Sequence, residues 1–72
     1  MSKQEIVPGM AARIIEQRKR AGLSQIEFAK LVGSSQKHIS TVERQKCGIS
    51  VSLLMRIAQA LRVSEHWLIH GD

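Results

Sequence analysis

The 72-residue sequence is poor in the residues that mark disulfide frameworks, sheets and membrane segments. Its single cysteine, Cys47, excludes an internal disulfide and favours a reducing compartment. Phe28 and Trp67 are its only aromatic residues, and a core of branched aliphatic side chains favours packed helices. No apolar run approaches the ~20 residues that cross a bilayer, and the start, MSKQEIVPG, lacks the apolar stretch of a signal peptide. We therefore expect a cytoplasmic protein.

Acidic residues are also scarce relative to basic ones. Eleven Lys and Arg against six Asp and Glu give a net charge of +5. This excess of basic residues points to a polyanionic partner, nucleic acid first and an anionic membrane surface second. On charge alone, basic residues that only keep the protein soluble are an equally good interpretation. No nucleophile motif or phosphate-binding glycine loop is present, so we expect neither an enzyme nor a cofactor.

Caps and apolar spacing predict five helices. Pro8 is placed in the first turn of helix 1, which Gly22 ends. Ser24 and Glu27 form a capping box at the start of helix 2, and Gly33 supplies the left-handed residue of a sharp turn. Serines are predicted to cap the rest: Ser34 or Ser35 for helix 3, which runs to about Arg44, Ser50 or Ser52 for helix 4, and Ser64 for helix 5.

The predicted organisation is a flexible arm at residues 1–7 and one compact all-α domain at residues 8–72. Met10 and Met55 are predicted to fill the core. His66 and His70 have a spacing that can bind zinc, but no third ligand is apparent, so core packing is the favoured interpretation of this segment and no metal is expected. Cys47 is interpreted as an exposed thiol rather than a redox switch.

Helix 3 is polar over most of its circumference. At about 100° per residue, one arc of about 140° collects an amide, two cations and two hydroxyls, with no carboxylate. Its members are Gln36, Lys37, Ser40, Thr41 and Arg44. These groups bind base edges and phosphates, so the arc favours a nucleic-acid partner over a merely solvated surface.

Two opposite charges are predicted to point inward from different helices. Glu43 follows Ile39 by four residues, and Arg18 follows Ile14 by four, so each lies near the apolar side of its helix. Because buried charges are costly unless they are paired, we expect Arg18 and Glu43 to form an ion pair between helix 1 and helix 3.

The stretch QIEFAKLVGSSQKHISTVER, residues 25–44, resembles the helix-turn-helix unit of phage repressors and Cro proteins, the Xre-type DNA-binding domains. Ala29 matches the small residue between the two helices, Gly33 matches the turn, and Ile39 and Val42 match the core side of the recognition helix. AGLSQ before the unit and ALRVSEHWLIHGD at the end of the chain extend the likeness over about residues 10–72. The resemblance implies a five-helix fold of the lambda-repressor type.

The resemblance also implies roles for the polar residues. In this family the N-terminal part of the second helix lies in the major groove. The implied base-contacting residues are Gln36, Lys37, Ser40 and Thr41, the implied phosphate-contacting residues are Gln25, Ser35, Arg44 and Lys46, and Arg18–Glu43 matches an internal salt bridge. Two departures are visible: Gln45 stands where many relatives have glycine, and the loop CGISVS lacks the arginine that enters the minor groove in some relatives.

The expected function is sequence-specific recognition of double-stranded DNA by a transcriptional regulator, a repressor in the bacterial cytoplasm or nucleoid. It is expected to act as a homodimer on a palindromic operator, with dimer contacts around Arg62, Val63, Ser64 and the C-terminal helix. The alternative is an antitoxin-type module that holds a toxin and regulates its own operon. A membrane-surface helix ranks third, because the core needs the apolar side of helix 1.

Overall fold

The computed structural model describes residues 9–71, which fold into five α-helices. They are α1 (Met10–Arg20), α2 (Gln25–Leu31), α3 (Gln36–Glu43), α4 (Val51–Leu61) and α5 (Glu65–His70). The predicted all-α, five-helix fold is confirmed. The predicted N-terminal arm, Pro8 and Asp72 lie outside the described residues. Within residues 9–71, none of the helices has the length and apolar content needed to span a membrane.

Serine caps begin four of the helices. Ser24, Ser35, Ser50 and Ser64 each accept a hydrogen bond from the backbone N–H three residues on, so Ser35 and Ser50 are the caps among the predicted alternatives. At α2 the Ser24 N–H also donates to Glu27 Oε1 at 2.8 Å, which completes the capping box. Helix α1 begins differently, at Gly9, which has φ +84° and makes no side-chain cap.

The core receives one fully buried large side chain from every helix. These are Ile14, Phe28, Ile39, Ile57 and Leu68. Full burial of such a side chain contributes roughly 1.5–3 kcal/mol, which is how helices of six to eleven residues become stable together.

One core prediction is wrong. Met10 is buried, but Met55 is 46% exposed. Met55 follows Val51 by four residues, so both lie on the outer side of α4, opposite the buried Leu53 and Ile57.

The turn between α2 and α3 brings these helices against each other. Gly33 has φ +71°, a conformation that costs other residues roughly 1–2 kcal/mol. The next N–H, that of Ser34, donates to the carbonyl of Ala29 at 2.8 Å, and Ala29 is buried. As a result, the first residues of α2 and α3, Gln25 and Gln36, come within hydrogen-bond distance of each other.

A guanidinium joins α1 to α5. Arg13 Nε donates to the carbonyl of Leu68 and Arg13 Nη2 to that of Ile69, each at 2.8 Å. Gly71, at φ +84°, ends α5, and a Cβ there would lie 3.0 Å from Arg13 Nη1. The positive φ and the close approach of Arg13 both favour glycine at this position.

Candidate nucleic-acid interface

The polar arc predicted for α3 lies on the outer side of that helix. Gln36, Lys37, Arg44 and Lys46 are exposed, and Ser40 and Thr41 are half-buried. Ile39, Val42 and Glu43 are buried on the opposite side. Among residues 9–71, no carboxylate forms an ion pair with the three cations of this surface. The outer face of α3 therefore presents hydrogen-bonding groups and unneutralised positive charge.

Beneath this face, Arg18 and Glu43 form the predicted ion pair. Arg18 Nε lies 2.7 Å from Glu43 Oε2, and Arg18 Nη2 lies 3.1 Å from Glu43 Oε1. Both residues are only 8% exposed. Arg18 Nη1 also donates to the carbonyl of Leu23 at 2.8 Å. The contact is bidentate, and its fixed geometry joins α1 to α3.

A hydrogen-bond chain runs outward from this ion pair. Gln25 Nε2 donates to Glu43 Oε1 at 2.9 Å, and Gln36 Nε2 donates to Gln25 Oε1 at 2.8 Å. We call these four residues, Arg18, Glu43, Gln25 and Gln36, the relay. Buried at one end, it reaches an exposed amide at the other, so the side chain of Gln36 is held in place before any partner arrives.

Two hydroxyls of the interface are partly engaged by their own helix. Thr41 Oγ1 donates to the carbonyl of Lys37 at 2.8 Å, so its hydroxyl can only accept from a partner. Ser35 Oγ accepts from the His38 N–H at 3.1 Å and keeps its hydrogen for donation.

An open depression of about 410 Å³ flanks α3, lined by Ser35, Lys37, His38, Thr41 and Cys47. Cys47 is half-buried against the core, which corrects its interpretation as an exposed thiol.

The backbone leaves α3 through a left-handed turn although no glycine is present. Gln45 has φ +59°, its N–H donates to the carbonyl of Val42, and the N–H of Lys46 donates to the carbonyl of Thr41, each at 3.0 Å. Gln45 thus adopts the conformation that glycine favours, and the loop carries Lys46 next to the last turn of α3.

Helix α5 carries the two histidines whose spacing can bind zinc. The rings of His66 and His70 are both exposed, with centroids 4.5 Å apart. Within the described part of the chain, no group of three His, Cys, Asp or Glu side chains could hold a metal ion.

Comparison with known proteins places this geometry in a family. The family model described as Helix-turn-helix matches residues 14–68, which include the relay and the whole of α2, α3 and α4. The chain belongs to the Helix-turn-helix family.

Relatives with this helix-turn-helix unit include HTH-type transcriptional regulators for conjugative elements, SXT from Vibrio cholerae and R391 from Providencia rettgeri. Each is 43% identical over 51 residues, which cover 71% of this chain and 23% of the relative. The chain therefore corresponds to about a quarter of the length of these relatives.

Solved helix-turn-helix structures share the fold. The P22 c2 repressor, in complex with synthetic operator 9T, has a TM-score of 0.83 at 33% identity, covering 88% of this chain and 96% of the repressor. The DNA-binding domain of SinR from Bacillus subtilis has a TM-score of 0.78 at 32% identity, covering 82% of this chain and 87% of that domain. SinR has also been solved in complex with DNA.

Proposed function

We propose that this domain is the DNA-binding part of a transcriptional regulator, and that it inserts α3 into the major groove of double-stranded DNA. The observation that carries the proposal is the outer face of α3, where a hydrogen bond to Gln25 already holds the Gln36 amide in position. Lys37, Arg44 and Lys46 lie on the same face, and no carboxylate within residues 9–71 forms an ion pair with them. The relatives named as transcriptional regulators and the neighbours solved with DNA support the same role. A binding surface, rather than a catalytic site, is what this family uses.

The residues of the interface divide by the groups that they offer. The proposed base-contacting residues are Gln36, Lys37, Ser40 and Thr41, and the proposed phosphate-contacting residues are Gln25, Ser35, Arg44 and Lys46. Gln25 keeps one Nε2 hydrogen after it donates to Glu43, and this hydrogen is available to a phosphate oxygen. Thr41 contributes an acceptor and a methyl group, because its hydroxyl hydrogen is already used within the helix.

The proposal includes a homodimer that represses transcription from a palindromic operator in the bacterial cytoplasm. One domain reads only a few base pairs, whereas two-fold pairing places two recognition helices about 34–36 Å apart, one turn of the duplex. The surface around Arg62 and Val63, between α4 and α5, is the proposed contact. Sedimentation equilibrium with and without the preferred duplex tests the assembly, and a monomer on a two-site duplex contradicts it.

Base reading is tested by selecting a preferred duplex from random-sequence DNA and measuring its affinity by fluorescence anisotropy over a salt series. Gln36→Ala is expected to remove about 1–3 kcal/mol of the preference over random duplex and to leave the salt slope unchanged. Lys46→Gln is expected to weaken both duplexes alike and to reduce the slope by about one unit. Gln59→Ala, an exposed glutamine on α4, is the matched control. Equal binding of both duplexes by the unmodified domain contradicts the proposal.

A further inference from the structure

We propose that His66 and His70 together bind one divalent transition-metal ion, of the Ni²⁺ or Cu²⁺ class, on the outer face of α5. The site goes beyond the proposed function, because α5 packs against α1 and α4, whereas the proposed DNA interface lies on α2, α3 and the residues that flank them. The two imidazoles of one chain form the site, and water supplies the remaining ligands of the ion.

The two histidines lie one helical turn apart. Helix α5 runs from Glu65 to His70, so His66 and His70 are four residues apart and project from the same side of the helix. Both are exposed, whereas Leu68, between them in the sequence, is fully buried. An imidazole binds a metal through a ring nitrogen, and exposure leaves these nitrogens accessible to an ion from solution. The pair therefore offers two nitrogen ligands at one point on the surface.

The separation of the two rings indicates which ions the pair suits. The centroids of the His66 and His70 rings are 4.5 Å apart, and the ring planes are tilted by 45°. A ligating ring nitrogen lies about 2.0–2.1 Å from its ion, which places the ring centroid about 3.2 Å from that ion. Two such centroids are roughly 4.5 Å apart at a right angle around the ion and about 5.2 Å apart at the tetrahedral angle. The observed separation thus matches the right-angled geometry of Cu²⁺ and Ni²⁺ better than the tetrahedral geometry of Zn²⁺.

Binding at this site is expected to stabilise α5. A helix of six residues is unstable on its own, and unfolding of α5 removes the turn that aligns the two rings. An ion that binds the folded chain more tightly than the unfolded chain raises the free energy of unfolding as its concentration exceeds Kd. At a Ni²⁺ concentration about ten times Kd, the Tm should rise by several degrees, and by no more than roughly 11 °C.

The test uses Ni²⁺ as the probe, because Cu²⁺ can oxidise the thiol of Cys47. Binding is followed by isothermal titration calorimetry and by the fluorescence of Trp67, which lies next to His66 in the sequence. His66→Gln and His70→Gln should each weaken Ni²⁺ binding by at least about tenfold, because losing a ligand costs no less than losing a partner that orients one. The rise in Tm should disappear with the affinity.

Two controls separate this site from histidine content in general. His38→Gln removes the third histidine of the chain, which lies on α3, and should leave the Ni²⁺ affinity unchanged. The double variant Glu65→His/His66→Glu keeps the composition and the net charge, but it moves the pair to positions 65 and 70, about 140° apart around the helix. This variant should bind Ni²⁺ as weakly as His66→Gln does.

Circular dichroism without metal checks that each variant folds, which is expected because the substituted side chains of α5 are exposed. A contact between the two rings without a role in metal binding predicts the same Ni²⁺ affinity in every variant. Unchanged affinity in either single variant of α5, unchanged affinity in the double variant, or a Tm that Ni²⁺ does not raise in the unmodified chain overturns the proposal.

Discussion

The contact between Arg13 and the end of α5 offers a sharp test of how this small domain is held together. Helix α5 has only six residues, and its last carbonyls have no partners within the helix. Arg13 supplies two of these partners, through hydrogen bonds to Leu68 and Ile69 of 2.8 Å each, and places a positive charge at the negative end of the helix dipole. We expect Arg13→Met, which keeps the aliphatic stem, to loosen α5 from α1.

The magnitude follows from the two bonds. A hydrogen bond to a charged group contributes about 1.5–3 kcal/mol, and half-burial of Arg13 favours the lower end of that range. The free energy of unfolding should therefore fall by roughly 2–3 kcal/mol. For a domain of this size each kcal/mol shifts the midpoint by about 4–8 °C, so the Tm should fall by roughly 10–20 °C.

Two signals can be followed in one thermal scan. Far-UV circular dichroism reports all five helices, and the fluorescence of Trp67, the only tryptophan, reports α5. The matched control is Arg20→Met, since Arg20 makes only an exposed pair with Glu16 at 3.3 Å, with side chains 71% and 56% exposed. This control should lose no more than about 0.5 kcal/mol. Equal Tm values for Arg13→Met and Arg20→Met would refute the stabilising role of the contact.

Two further predictions concern charged groups. Glu43→Gln leaves Arg18 buried without its counter-charge, so urea titration should show that the free energy of unfolding falls by about 3–5 kcal/mol. The double variant Arg18→Met/Glu43→Leu should recover most of this loss, because it removes both charges. A Glu43→Gln variant as stable as the unmodified domain contradicts this prediction. Hydrogen bonds from the backbone and side chain of Ser24 hold the pKa of Glu27 below its ordinary value of 4.5. Because the pKa of Glu27 is lower in the folded state than in the unfolded state, the stabilisation that Glu27 contributes is fully present above its unfolded-state pKa. This stabilisation is lost as the pH falls through the folded-state pKa. Glu27→Gln should therefore flatten the decline of Tm on acidification below about pH 4.5, and parallel curves would exclude the effect.

The features that were predictable from the sequence are those whose causes are local. The capping box needs only Ser24 and Glu27, three residues apart, and its side-chain bonds form within the first turn of α2. The pairing of Arg18 with Glu43 was predictable for a different reason. Each charge falls on the apolar side of its own helix, and the cost of burying either one alone leaves pairing as the stable outcome.

The features that were missed depend on where distant segments meet. Arg13 lies 55 residues from Leu68 in the sequence, and no local pattern indicates that contact. Gln25 and Gln36 were each assigned a role toward DNA, but their mutual hydrogen bond requires the angle between α2 and α3. Met55 is apolar, but its position four residues after the exposed Val51 places it on the outer side of α4.

The left-handed turns after α3 and α4 leave this domain some room to diverge. Gln45 and Arg62 both have φ +59°, a conformation that costs a non-glycine residue roughly 1–2 kcal/mol. A single change of either residue to glycine could recover part of that energy without altering α3. A lineage that acquired new reading residues on α3, at a loss of stability, could thus regain it elsewhere and evolve a new DNA preference on the same scaffold.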